Sequence, residues 1–172
     1  MTESSLNHRE HDPMSTANTP RVDYAAMSTM GAIPAYHARH RPTAVAMQFE
    51  GRTTDWRTLD RHARQIANAL IAAGCKPGDR IAAAAKNSDA FFELMFGVAK
   101  AGMVLAPIVW RLAVPEIAQV VEDCEAPLLF IGNEQIERAA ELQAALPGCR
   151  LITLEGPAPG LTRFADWRDA AP

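Results

Sequence analysis

Serine ends at position 88 of this 172-residue chain and lysine at position 100. Beyond Ile108, only Thr153 and Thr162 carry an aliphatic hydroxyl. Loops that cradle phosphates combine glycines, for close backbone approach, with Ser/Thr and Lys side chains that meet the oxygens. Neither GxxxxGK[ST] nor GxGxxG occurs. The chain therefore offers no cofactor-binding loop for a nucleotide's phosphates.

Other absences narrow the class further. The net charge is −3, so no basic excess points to nucleic acid or to an anionic membrane surface. The longest apolar runs fall far short of a membrane span. The N-terminus lacks the apolar core of a secretory signal, which makes the cytoplasm the expected compartment. Cys75, Cys124 and Cys149 are odd in number, far apart and without C-x-x-C spacing, which argues against disulfides and structural zinc. Cys124 is expected in the core and the other two near helix-to-strand turns. His37 and His40 share a helix face, but no cysteine or carboxylate joins them at ligand spacing, so no metal site is expected.

What is present is a soluble globular composition, 48% hydrophobic and 22% charged. Residues 1–23 are polar and aperiodic, and the tail 1–27 is expected to be disordered. Order starts with a short helix near Ser28–His40, weakened by Pro34. A strand Ala44–Phe49 turns at Glu50-Gly51 into Arg52–Thr54, a small hairpin. From Trp56 to Ala73, Leu59, Ala63, Ile66 and Leu70 recur at helical spacing, with Asp60, Arg61, Arg64, Gln65 and Asn68 facing away. Gly74 suits the left-handed residue after that helix.

The rest alternates regularly. Arg80–Ala85 reads as a strand, and Asn87 or Ser88 caps a helix running to Ala101. Met103–Ile108 is the next strand. Pro115 opens a helix whose stripe is Ile117, Val120, Val121 and Cys124. Pro127–Ile131 follows, then a helix Glu134–Leu146 capped by Asn133, then a strand Leu151–Leu154. The fold class is α/β: a partial doubly wound, mainly parallel sheet flanked by helices, with the small N-terminal hairpin. RIAAAA is poor in β-branched residues, and small side chains suit a strand packed on both faces. The helix from Asp89 is apolar almost all round, which calls for cover by more than one sheet face.

In such sheets ligands bind beyond the carboxyl ends of the strands. Those ends carry Lys86-Asn87-Ser88, Trp110-Arg111 and Gly132-Asn133. Asn87, Ser88 and Asn133 sit where caps are needed anyway, and Trp110 suits packing. Ser88 has no histidine nearby in sequence, and Glu122, Asp123 and Glu125 read as a solvated acidic face. No catalytic, cofactor-binding or metal-binding residue stands out.

An ordered set of short motifs nevertheless resembles one family. The pieces are Trp56-Arg57-Thr58-Leu59, the KPGDR turn at Lys76–Arg80, the Asn87-Ser88 helix start, and KAGMVLAPIVWRL ending at Leu112. Together they resemble the N-terminal portion of the adenylate-forming ligases, especially the AMP-forming fatty-acyl-CoA synthetases, over roughly Ser28 to Leu154. Val109 stands where the family carries asparagine. The resemblance implies activation of a carboxylic acid with Mg-ATP as an acyl-adenylate, then transfer to coenzyme A. ATP, Mg2+ and CoA are thus the full-length family's cofactors. The family's Ser/Thr/Gly-rich phosphate loop, its magnesium and adenine motifs and its catalytic lysine have no counterpart here. Residues 28–172 are accordingly expected to be an incomplete N-terminal subdomain, inactive alone. Its expected partners are another copy of itself or a full-length synthetase, met through an unfinished sheet edge.

Overall fold

Glu50 and Gly51 both adopt positive φ, 47° and 78°. This is the turn geometry that matches the twist of a two-residue hairpin, and it folds β1 (Val45–Phe49) antiparallel onto β2 (Arg52–Asp55). The computed structural model describes residues 22–172. Residues 22–27, assigned to the tail by sequence, include a 3-10 turn at Tyr24–Ala26 capped by Asp23, whose N–H donates to the Tyr36 hydroxyl at 2.9 Å. The remainder of the expected tail lies outside the described residues. In α1 (Ala32–His40) Pro34 occupies the first turn, where a missing N–H costs nothing.

Asp55 starts α2 (Trp56–Ala72) by accepting the Thr58 backbone N–H at 2.8 Å. That bond holds its carboxyl below the ordinary carboxylate range. Gly74, at φ 89°, ends the helix as expected: its N–H reaches Ile71 O and the Cys75 N–H reaches Leu70 O. The same two-bond ending recurs after α3 (Asp89–Lys100) with Gly102, and after α4 (Val114–Asp123) with Glu125 taking the positive φ.

Five parallel strands form the main sheet: β3 (Arg80–Ala84), β4 (Val104–Ile108), β5 (Leu128–Ile131), β6 (Arg150–Thr153) and the short β7 (Thr162–Arg163). Their spatial order is β4-β3-β5-β6-β7, so the winding reverses at β3. Alternation along the strands divides the core. Ile81, Ala83, Leu128, Phe130 and Ile152 face α2, α3 and α6 (Phe164–Asp169). Ala82, Ala84, Leu129, Ile131 and Leu151 face α4 and α5 (Ala139–Ala145). Ala82, Ala83 and Ala84 are fully buried, so the alanine-rich strand is central and covered on both faces, as its small side chains imply.

Several expectations are corrected. The helix predicted over Glu134–Leu146 is a 3-10 segment, Asn133–Arg138, followed by the short α5. Asn133 does not cap it; its Oδ1 accepts the Gly156 N–H at 2.9 Å instead. β7 and α6 extend the sheet past the strand expected to close it, and a two-residue strand is too short to show alternation. Cys75 and Cys149 are the buried cysteines, whereas Cys124 is half-buried at the C-cap of α4. Asp60, placed on the solvent side of α2, is buried between Arg64 (3.3 Å) and Lys100 (3.2 Å), because α1 and α3 widen the covered arc of that helix. The apolar α3 is covered by the main sheet and by α2 alongside, and β1 of the hairpin sheet packs against it too, leaving Phe92 partly exposed. Gly97 makes that crossing possible: a Cβ there would overlap the Ile66 side chain.

Candidate functional site

The reversal at β3 places the loops after β3 and β5 side by side at the carboxyl end of the sheet, where doubly wound folds open a crevice. Three sequence-singled groups meet there. Lys86 Nζ lies 4.3 Å from the Trp110 ring centroid, and the Arg111 guanidinium lies 4.4 Å from it. Lys86 also bonds Glu134 Oε1 at 2.9 Å. Burial pushes the Glu134 carboxyl up, but the Lys86 bond and charge outweigh this and hold it below its ordinary value. Gly132 has no space for a side chain there, since a Cβ would come 2.8 Å from Glu134 Oε2 and 2.9 Å from Ala85 Cβ.

The segment after β5 clips the loop after β4. Gln135, fully buried, donates from Nε2 to the Trp110 carbonyl, and Arg138 Nη1 donates to the Leu112 carbonyl at 3.1 Å. Gln135 went unremarked in the sequence, where one glutamine in a polar segment gives no signal. Val109 is 58% exposed and its carbonyl accepts the Leu112 N–H, so its side chain takes no part in the loop's bonding. Ser88 is buried and its Oγ accepts the Phe91 N–H at 3.2 Å, the cap role favoured over nucleophile. Glu122, Asp123 and Glu125 are exposed, with Arg80 reaching Glu125 at 3.1 Å. His37 is buried against Trp56, with ring centroids 4.3 Å apart, and burial pulls its pKa down, favouring the neutral ring. Among the described residues no group of three His, Cys, Asp or Glu is placed to hold a metal ion.

The rim offers a triphosphate few free donors. Its one lysine is engaged by Glu134, Arg52 is engaged by Asp89 at 2.8 and 3.0 Å, and the glycines present are spent on backbone packing. The rim's contacts fix three strand-end loops against one another.

The sequence matches the AMP-binding enzyme family over residues 35–169. The chain belongs to that family. It is 39% identical over 127 residues to a fatty acid–[acyl-carrier-protein] ligase of Streptomyces coeruleorubidus, which covers 74% of this chain and 24% of the relative. It is 36% identical over 115 residues to a feruloyl-CoA synthase of an Amycolatopsis species, covering 67% of this chain and 23% of that one. The fold superimposes on an anthranilate CoA ligase crystallised with anthranoyl-AMP at a TM-score of 0.76, with 25% identity, over 84% of this chain and 28% of that one. An AMP-binding family member is therefore spanned here over about a quarter of its relatives' length. No helix among the described residues is long and apolar enough to cross a membrane.

Proposed function

We propose that this AMP-binding family chain is the N-terminal part of an ATP-dependent acid–thiol ligase acting in the cytoplasm, and that its 172 residues do not form an acyl-adenylate by themselves. The observation that carries the reading is the family match over residues 35–169 joined to the quarter-length span. In the full-length reaction a carboxylate oxygen attacks the α-phosphorus of ATP, pyrophosphate leaves, and a thiol such as that of CoA then displaces AMP from the acyl group. Stabilising the charge that develops in the first step is a large share of such catalysis. With Lys86 and Arg52 engaged, the rim keeps a single cation without a carboxylate partner among the described residues, Arg111 over the Trp110 ring, to meet it. Pyrophosphate release from ATP, Mg2+ and a fatty or aromatic acid should stay at background with this chain, and release above background would overturn the proposal.

A second reading is completion by a partner, a second copy or a full-length ligase. It is favoured by β4, an open edge whose Val104 is 52% exposed. Pro107 lacks an N–H, so any added strand would pair with only part of that edge. Size-exclusion chromatography with and without a full-length ligase tests this reading. An unchanged elution volume would refute it.

A further inference from the structure

Two clefts meet beside the β1–β2 hairpin. One is apolar, about 520 Å3, and is walled by Met47, Phe49, Trp56, Phe92 and Phe96. The other, about 530 Å3, is polar and opens over the carboxyl ends of β3, β5 and β6, with Lys86, Asn133 and Glu155 on its walls. Phe49 and Asn87 belong to both. The Arg52–Asp89 ion pair marks their boundary, Asp89 lining the apolar side and Arg52 the polar side. Phe92 is 38% exposed, so the described residues leave this ring partly open. Each volume lies in the range of small-molecule sites, about 300 to 1,000 Å3, which pair an apolar wall with a few polar groups.

Charge selects the head of the ligand. Six ionisable groups surround the boundary and the polar side: Glu50, Arg52, Lys86, Asp89, Glu134 and Glu155. Two are cations and four are carboxylates. Both cations are committed, Arg52 bidentately to Asp89 and Lys86 to Glu134. Glu50 has a 3.6 Å contact with Arg52, and Glu155 acts on Arg52 only through its charge, without a direct ion pair among the described residues. The surplus is negative and only weakly paired, through Arg52, and it adjoins a partly exposed aromatic wall.

We propose that this double cleft binds an amphipathic amine, with a single alkyl or aryl body against Phe92 and Phe96 and a protonated amino head facing Glu50 and Glu155. An acid with the same body would bring its carboxylate to the surplus carboxylates. The site does not depend on the ligase reading, since it requires neither nucleotide nor adenylation.

The test is calorimetric titration of the whole chain with octylamine, 1-octanol and octanoate, each below its aggregation concentration. Octylamine should bind at one per chain and about tenfold or more tighter than octanoate, with the alcohol between them. The gap should shrink as salt rises from about 20 mM to about 500 mM, because the selecting charges are solvent-exposed. Ala46→Phe, which fills the apolar wall, should abolish binding of all three ligands, and Glu155→Gln should narrow the amine preference. If Ala46→Phe proves unfolded by circular dichroism, Phe92→Ser serves instead and should weaken all three. Equal or tighter binding of octanoate, several amines per chain, a salt-independent gap, or unchanged binding in a folded wall variant would each overturn the proposal.

Discussion

Glu93 is the charged group that the fold buries most deliberately. It lies on the apolar α3, 6% exposed, with one carboxylate oxygen 2.7 Å from His62 Nδ1 on α2 and the other 2.6 Å from Arg168 Nη1 on α6. His62 Nε2 faces Arg61 Nη2 at 3.3 Å, and its Nδ1 lies 3.1 Å from Arg168 Nη1 as well as beside Glu93. Arg168 is the formal countercharge, and its other nitrogens hold Asp169 at 2.7 and 3.1 Å. Arg168→Met removes that cation and leaves Glu93 buried with His62 as its remaining hydrogen-bond partner. Breaking a buried pair from one side costs about 3 to 5 kcal/mol, a large part of the roughly 5 to 15 kcal/mol that holds a domain. Glu93→Met should cost less, because Asp169 keeps Arg168 paired. The double variant should cost less than the sum, since a buried pair replaced by apolar groups of similar volume is nearly neutral. Urea unfolding followed by circular dichroism measures all three. With a slope of about 2 kcal/mol per molar, the Arg168→Met midpoint should fall by roughly 1.5 to 2.5 M. A loss under about 1 kcal/mol, or additivity within about 0.5 kcal/mol, would refute the claim that this cluster fastens α6 to the body of the fold.

Gly97→Ala should destabilise by about 1 to 3 kcal/mol, read in the same melts, because its Cβ meets the Ile66 side chain at the α2–α3 crossing; no loss would refute that close approach. Burial raises the Cys149 thiol to about 11, so at pH 8 almost none is thiolate, and alkylation followed by mass spectrometry should mark half-buried Cys124 before Cys149. The Arg52 bond holds Asp89 below the ordinary carboxylate range. Its stabilisation is therefore present above its unfolded pKa near 3.9 and lost as the pH falls through the depressed folded value. Arg52→Gln should flatten that acid-side loss, and an unchanged slope of stability against pH would count against the pair.

The elements that were legible in the sequence are those with long periods or firm punctuation. α2 was readable from Leu59, Ala63, Ile66 and Leu70, its end from Gly74, and the hairpin from Glu50-Gly51. The central place of Arg80–Ala84 followed from its small side chains. What escaped was short or long-range. β7 has two residues, and the Glu134–Leu146 helix divides because residues 133–138 bond as a tighter 3-10 turn that clips the loop after β4. Asp60 and Glu93 look like solvent-facing charges in a helical pattern. Only the positions of Lys100, Arg64, His62 and Arg168 make them interior. At the rim, Ser88 was legible as a cap because caps are local. Asn133 was not, since its partner, Gly156, is 23 residues away. The family was legible because its motifs are ordered strings at strand ends and helix starts, where local sequence and tertiary position coincide.

Equilibrium titration of the chain with Mg-ATP tests the account most directly. The engaged lysine and arginine and the missing Ser/Thr/Gly-rich loop predict no saturable heat up to millimolar nucleotide, a dissociation constant weaker than about 1 mM. Saturable one-to-one binding at micromolar concentration would contradict it.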